Sequence, residues 1–124
     1  MTKRYTKDHE WVELNGDIAT IGISSYAAEQ LGDVVYAELP EIGKSFAQGD
    51  DMAVVESAKT ASDVYAPISG EIVEANADIK NEQWQIINDA PQEAGWFVKL
   101  KIADKSQLDA LMDEAAYADY VKGL

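Results

Sequence analysis

Two short runs of alternating apolar residues, Met52 to Glu56 and Asp63 to Ala66, are separated by five small residues and one lysine. Val and Tyr at alternating positions favour a pleated, half-buried strand. Ser57, Ala58, Thr60, Ala61 and Ser62 are too small to build a core of their own. They fit a tight, exposed hairpin tip with Lys59 at or near its apex. A lysine so placed offers an ε-amine with no bulky neighbour. An enzyme that must grip a loop and acylate one amine needs that geometry. A solvated lysine on a polar turn is also what an ordinary hairpin presents, and short motifs often match by chance. The flanks therefore have to decide.

Turn signals are arranged almost symmetrically about this tip. Ile42 to Asp50 reads as two turns with a short strand between them, and Gly49-Asp50 precedes the strand leading to Lys59. Pro67-Ile68-Ser69-Gly70 follows the strand leaving it, and Glu71 to Glu74 begins another. Strand, turn, strand, lysine tip, strand, turn, strand predicts two similar halves between Gly43 and Asn76, folded into a flattened β-sandwich. Biotinyl and lipoyl carrier domains are similar in plan.

Before this region, Tyr5 to Leu14 is a lead-in and first strand, with Trp11 and Leu14 apolar and Glu10 and Glu13 polar. Asn15-Gly16 is a hairpin signal, since both positions tolerate positive φ. Asp17 to Gly22 is the returning strand. Ser24 or Ser25 caps a short helix, Tyr26 to Leu31, which Gly32 terminates. Asp33 to Leu39 is a β run closed by Pro40.

After it, Asn76 to Gly95 predicts a short strand or an irregular loop around Trp84, Ile86 and Ile87. Trp96 to Ile102 is a strand with Phe97, Lys99 and Lys101 on its second face. The tail from Asp104 is helical, with Ser106 as cap, and Leu108, Leu111, Met112 and Ala115 face the core. A break near Asp113 precedes a second short helix holding Ala116, Tyr117 and Tyr120. Packing, rather than binding, is the expected role of the Leu/Met/Tyr stripe.

The chain has 124 residues and reads as one domain, 1–124. Its formal net charge of −13 argues against nucleic acid and anionic membrane as partners and favours basic clefts on larger proteins. It also favours a monomer. The sequence has no cysteine, so thiol nucleophiles, disulfides and zinc–thiolate sites are excluded. His9 is the single histidine. A hydrolase using Glu10, Asp63 and His9 would lack a nucleophile motif. No apolar run is long enough to span a bilayer, and Met1 to Lys7 does not have the form of a signal peptide. The expected compartment is the cytoplasm of a bacterium.

Glu56-Ser57-Ala58-Lys59-Thr60-Ala61-Ser62-Asp63 resembles the lipoyl-lysine segment of the glycine cleavage system H protein family, and Val64 to Val73 resembles the family's next stretch of chain. The likeness extends along nearly the whole sequence. His9-Glu10-Trp11-Val12, Ile21-Gly22-Ile23, Gln30 to Tyr36, Leu39 to Gly43 and Gly95-Trp96 match family motifs in the same order, and the tail is similar to the family's ending. Two segments depart. Asn81 to Ile87 lacks the family's usual proline and leucine, and Gln92, where a tyrosine is common, follows Pro91.

The resemblance implies a carrier rather than an enzyme: a mainly β barrel-sandwich hybrid with a short helix and a helical tail. It implies lipoate joined by an amide to Lys59. It further implies that the arm takes an aminomethyl group from a pyridoxal-phosphate glycine decarboxylase and gives it to a tetrahydrofolate-dependent aminomethyltransferase. Dihydrolipoamide dehydrogenase then reoxidises the arm. A lipoate ligase or a lipoyl/octanoyl transferase would modify Lys59. The family's arm groove maps onto Glu10, Asp63 and Leu31, and Glu56 onto recognition of the tip. Lipoyl domains of 2-oxoacid dehydrogenases are shorter, and biotinyl carriers usually flank the lysine with Met, where this chain has Ala58 and Thr60. An H-like carrier serving another pathway and an unmodified β-sandwich interaction module remain as alternatives.

Overall fold

A computed structural model describes residues 3–124. Met1 and Thr2, which begin the segment read for a signal peptide, lie outside the described residues. The strands are β1 (Lys3–Tyr5), β2 (Glu10–Asn15), β3 (Ile18–Ile23), β4 (Val34–Glu38), β5 (Ser45–Phe46), β6 (Asp51–Ser57), β7 (Ala61–Tyr65), β8 (Gly70–Ala75) and β9 (Val98–Ile102). The helices are α1 (Ser25–Leu31), α2 (Ala77–Lys80), α3 (Gln85–Asp89) and α4 (Glu114–Lys122), with a 3-10 helix at Lys105–Ala110.

The strands make two antiparallel sheets that do not close into one barrel. One has six strands in the order β1-β2-β3-β9-β8-β5, and the other has three in the order β4-β6-β7. The pairing about the tip is nested: β6 pairs with β7, and β5, further out, pairs with β8. The expected sandwich is therefore present. Its outer pair belongs to the large sheet and its inner pair to the small one, which leaves β7 as an edge strand.

Alternation decides which face is buried. Val55 and Val64 from the small sheet meet Val12, Ile21, Ile72 and Leu100 from the large one, all at 1% exposure or less. Fully burying a side chain of this size stabilises by about 1.5–3 kcal/mol. A second cluster lies outside the large sheet, where Tyr5, Trp11 and Tyr117 are buried against Met112, Trp96, Tyr120 and Val121. Tyr117 stacks on Tyr5 with ring centroids 4.3 Å apart. The aromatic stripe of the tail is thus packing, as expected.

Several local expectations need correction. The hairpin loop is Gly16-Asp17, because Asn15 pairs with Ile18, and only Gly16 takes positive φ. Asn76 to Gly95 holds neither a strand nor a mere loop. It forms α2, capped by the Asn76 side chain on the Asp78 amide, and α3. Ile79 and Ile87 project from these short helices into the core. β9 begins at Val98, and Phe97, expected on the same face as Lys99 and Lys101, is fully buried. Its amide bonds to the Ile21 carbonyl before the regular ladder starts. Asp104, not Ser106, caps the 3-10 helix, since its carboxylate reaches the Ser106 amide at 3.0 Å. Leu108, Leu111 and Met112 are half-buried and Ala115 is exposed, because the break at Asp113 interrupts the helical period.

Candidate functional site

Lys59 is exposed at the β6–β7 tip. Val55 and Val64 fix the strands, and the small side chains let the chain reverse. The loop residues are Ala58 and Lys59, closed by the Ser57 amide bonding to the Thr60 carbonyl at 2.8 Å. Neither loop residue has positive φ, so the turn does not depend on glycine. Ser57 supplies the missing order. Its hydroxyl accepts the Thr60 amide at 3.2 Å and the Lys59 amide at 3.4 Å. A serine at the first position of a turn does this by bonding to the backbone ahead of it. That serine at the turn's start was the signal in the sequence; its small size had hidden this role.

The C-terminal end of α1 lies beside the tip. A β-carbon placed on Gly32 would stand 3.5 Å from Lys59 Cε. Helix C-termini carry partial negative charge, which favours an ammonium group nearby. Asn88 of α3 holds this turn from behind. Its amide group donates to the Gly32 carbonyl at 2.8 Å, and its carbonyl accepts the Val34 amide at 2.9 Å. A groove of about 340 Å³ opens here, lined by Ala28, Glu29, Gly32, Asn88 and Pro91 among others.

Glu10 behaves unlike a strand residue on a polar face. It is 2% exposed. Its carboxylate accepts the Thr6 hydroxyl at 2.6 Å and, across the gap between the sheets, the Tyr65 amide of edge strand β7 at 3.3 Å. Burial is the largest influence on its acidity and pushes the carboxyl up to about 7, although the Thr6 and Tyr65 bonds oppose that rise. A pocket of about 260 Å³ opens beside it, lined by Thr6, Asp8, Glu10, Gln48, Tyr65 and Met112 among others. Sequence reading did not single out Thr6, Asp8 or Tyr65. Thr6, four residues before Glu10, was the available signal for a side-chain-bonded turn.

The remaining candidates are spread along β7 and its neighbours. Asp63 is exposed opposite Val54 and lines another pocket, of about 210 Å³. Tyr65 lies between Asp63 and Glu10, and both carboxylates raise its hydroxyl, Asp63 the most. Leu31 is buried in the main core. Glu56 is half-buried opposite Tyr36 and Ala61. From Ala61, next to the tip, to Tyr65, beside Glu10, β7 runs roughly 13 Å at the usual rise per residue. Among the described residues no cluster of metal-ligating side chains occurs.

Two facing antiparallel sheets with a lysine exposed on a hairpin tip are the plan expected from the sequence. The comparisons with known proteins narrow this. The model of the glycine cleavage H-protein family matches residues 3–123. The chain is 57% identical over 121 residues to the glycine cleavage system H protein of Parvibaculum lavamentivorans, covering 98% of this chain and 96% of that one. It is 57% identical over 118 residues to that of Phenylobacterium zucineum, covering 95% and 97%. The crystal structure of a glycine cleavage system H protein from Mycobacterium marinum superposes with a TM-score of 0.83 at 36% identity, covering 99% of this chain and 98% of the other. The chain belongs to the glycine cleavage H-protein family.

Proposed function

We propose that this protein is the lipoate-bearing shuttle of a bacterial glycine cleavage system, a carrier rather than an enzyme, and that Lys59 is its attachment site. The observation that carries the reading is Lys59 itself, exposed at a tip ordered by Ser57 within a chain whose family is known. The residues fit such a group. The ion pairs among the described residues engage Lys3, Lys99 and Lys105, which leaves the Lys59 amine available for acylation. When bound, lipoate would supply a dithiolane that takes up the aminomethyl unit and electrons.

The chain's own residues supply position and shelter. β7 offers an open edge leading from the tip toward Glu10. Glu10, held by Thr6 and Tyr65, presents a carboxyl group poised near neutrality, which can hold an ammonium by a charge-assisted hydrogen bond. Asp63 lies on the same strand between tip and pocket, and Leu31 backs the tip from the core. Glu56, two residues before the loop, serves recognition by the modifying ligase or transferase. The partners in this reading are the pyridoxal-phosphate decarboxylase, the aminomethyltransferase and dihydrolipoamide dehydrogenase. The protein acts as a monomer in the cytoplasm. No helix among the described residues is long and apolar enough to cross a membrane.

Intact mass before and after incubation with lipoate, ATP and a lipoate ligase tests this, alongside Lys59→Ala. One lipoyl amide gained by the wild type and lost in the variant is the expected result. No gain, while a known lipoyl domain is modified in the same mixture, would leave an unmodified interaction module. Modification without glycine-dependent loading would point to a carrier for another pathway.

A further inference from the structure

The last helix reaches back to the turn that carries Glu10. That turn runs from Thr6 to Glu10, and His9 within it has φ +72, which non-glycine residues seldom adopt. α4 holds it at two points. Tyr117 Oη lies 2.8 Å from His9 Nδ1, and Tyr120 Oη donates to the Lys7 carbonyl at 3.2 Å. Tyr117 also lies 2.6 Å from Ser24 Oγ, and the Ser24 amide donates to the His9 carbonyl at 2.8 Å.

One proton order satisfies all three groups. Ser24 Oγ accepts the Ala27 amide as the cap of α1 and can give its own proton to Tyr117. Tyr117 then donates to Nδ1 in the neutral His9 tautomer that carries its proton on Nε2. Burial holds His9 below its ordinary acidity range, in keeping with a neutral ring.

We propose that Tyr117 is a positioning residue: through His9 and Ser24, the C-terminal helix fixes the turn that aims the Glu10 carboxyl at its pocket. The assignment of a functional role to that pocket rests on the carrier reading above. The geometric link does not. Without the Tyr117 hydroxyl, no hydrogen bond from α4 reaches the His9 ring, and the positive-φ turn relaxes. Water then reaches a carboxyl whose acidity is set chiefly by burial. Lys7, Asp8, Tyr5 and Tyr65 are the other charged or titratable groups lining the same pocket.

The test is a carboxyl-carbon NMR titration of Glu10 in the unlipoylated full-length protein. Tyr117→Phe keeps the stack on Tyr5 and removes only the hydroxyl. Its Glu10 midpoint is expected to fall by about one pH unit or more toward the ordinary carboxylate range. Tyr120→Phe should move it in the same direction by less, and stands in if Tyr117→Phe does not fold. Val121→Ala, an apolar truncation in the same cluster, should lower the melting temperature and leave the midpoint in place. An unmoved midpoint in Tyr117→Phe, or an equal shift in Val121→Ala, overturns the proposal. The pH profile for loss of the carried one-carbon unit, measured on lipoylated Tyr117→Phe, separates the two readings. A moved Glu10 midpoint with an unaltered profile supports the positioning and counts against a groove role for Glu10.

Discussion

Lys59 rests against Gly32: a β-carbon on that glycine would stand 3.5 Å from Lys59 Cε and 3.9 Å from Nζ. The contact itself is ordinary. The backbone is not, because Gly32 has φ 80 and ψ −159, a region occupied almost only by glycine. Gly32→Ala is therefore expected to lower unfolding stability by on the order of 1–3 kcal/mol. Urea unfolding reads this directly. A loss well below that range would mean the turn can rearrange freely next to Lys59.

Asn88 satisfies two backbone groups of the same turn, the Gly32 carbonyl and the Val34 amide. Asn88→Ala removes both bonds and should cost about 2 kcal/mol. Asn88→Asp keeps the bond to Val34 but points an oxygen at the Gly32 carbonyl. It should cost at least as much at neutral pH and recover in acid, when the carboxyl can donate. Equal stability of the two variants at every pH would show that the Gly32 bond contributes nothing.

Trp11 and Gly22 are paired across β2 and β3, and a β-carbon on Gly22 would lie 2.9 Å from Trp11 Nε1. The indole covers the glycine and donates to the Pro91 carbonyl at 2.9 Å. Gly22→Ala would displace the ring and break that bond. About 1–3 kcal/mol of destabilisation is expected, as for other overpacked sites. Trp fluorescence should shift as well, and an unchanged spectrum with unchanged stability would contradict the packing described.

The tip, its two strands, α1 with its serine cap and glycine stop, and the last helix could all be read from the sequence. In each, local chemistry and tertiary packing agree. The 76–95 segment could not, because α2 and α3 are too short for a helical period to register, and their shape comes from the Asn76 cap and from burying Ile79 and Ile87. Phe97 was misread because it precedes the ladder and so escapes its alternation. The exposed position of Lys59 at the tip was legible from its small neighbours. The burial of Glu10 was not, since period-2 reasoning knows only the two faces of one sheet, whereas Glu10 fills the space between two. Gln92 shows a similar limit. Its carbonyl accepts the Ser25 amide at 2.9 Å and its amide donates to Tyr5 at 3.1 Å, a bridge that no local pattern announces.

That burial of Glu10 has a definite sign in the pH dependence of stability. The folded carboxyl titrates at about 7 against an ordinary value of 4.5. Between those values the folded state holds a proton that the unfolded chain has released. Stability therefore falls as pH rises through this window, by on the order of 3 kcal/mol if the group acts alone. His9 works the other way. Burial lowers its pKa, so the unfolded chain binds its proton first, and stability rises with pH just below the ordinary histidine range. The two effects overlap near pH 6 and can be separated by substitution. Glu10→Gln should abolish the fall between about pH 4.5 and 7, leaving the gentler rise from His9. Urea unfolding at intervals across that range provides the measurement. A Glu10→Gln curve with the wild-type slope would mean that the buried carboxyl is ionised throughout, and that Thr6 and Tyr65 outweigh its burial.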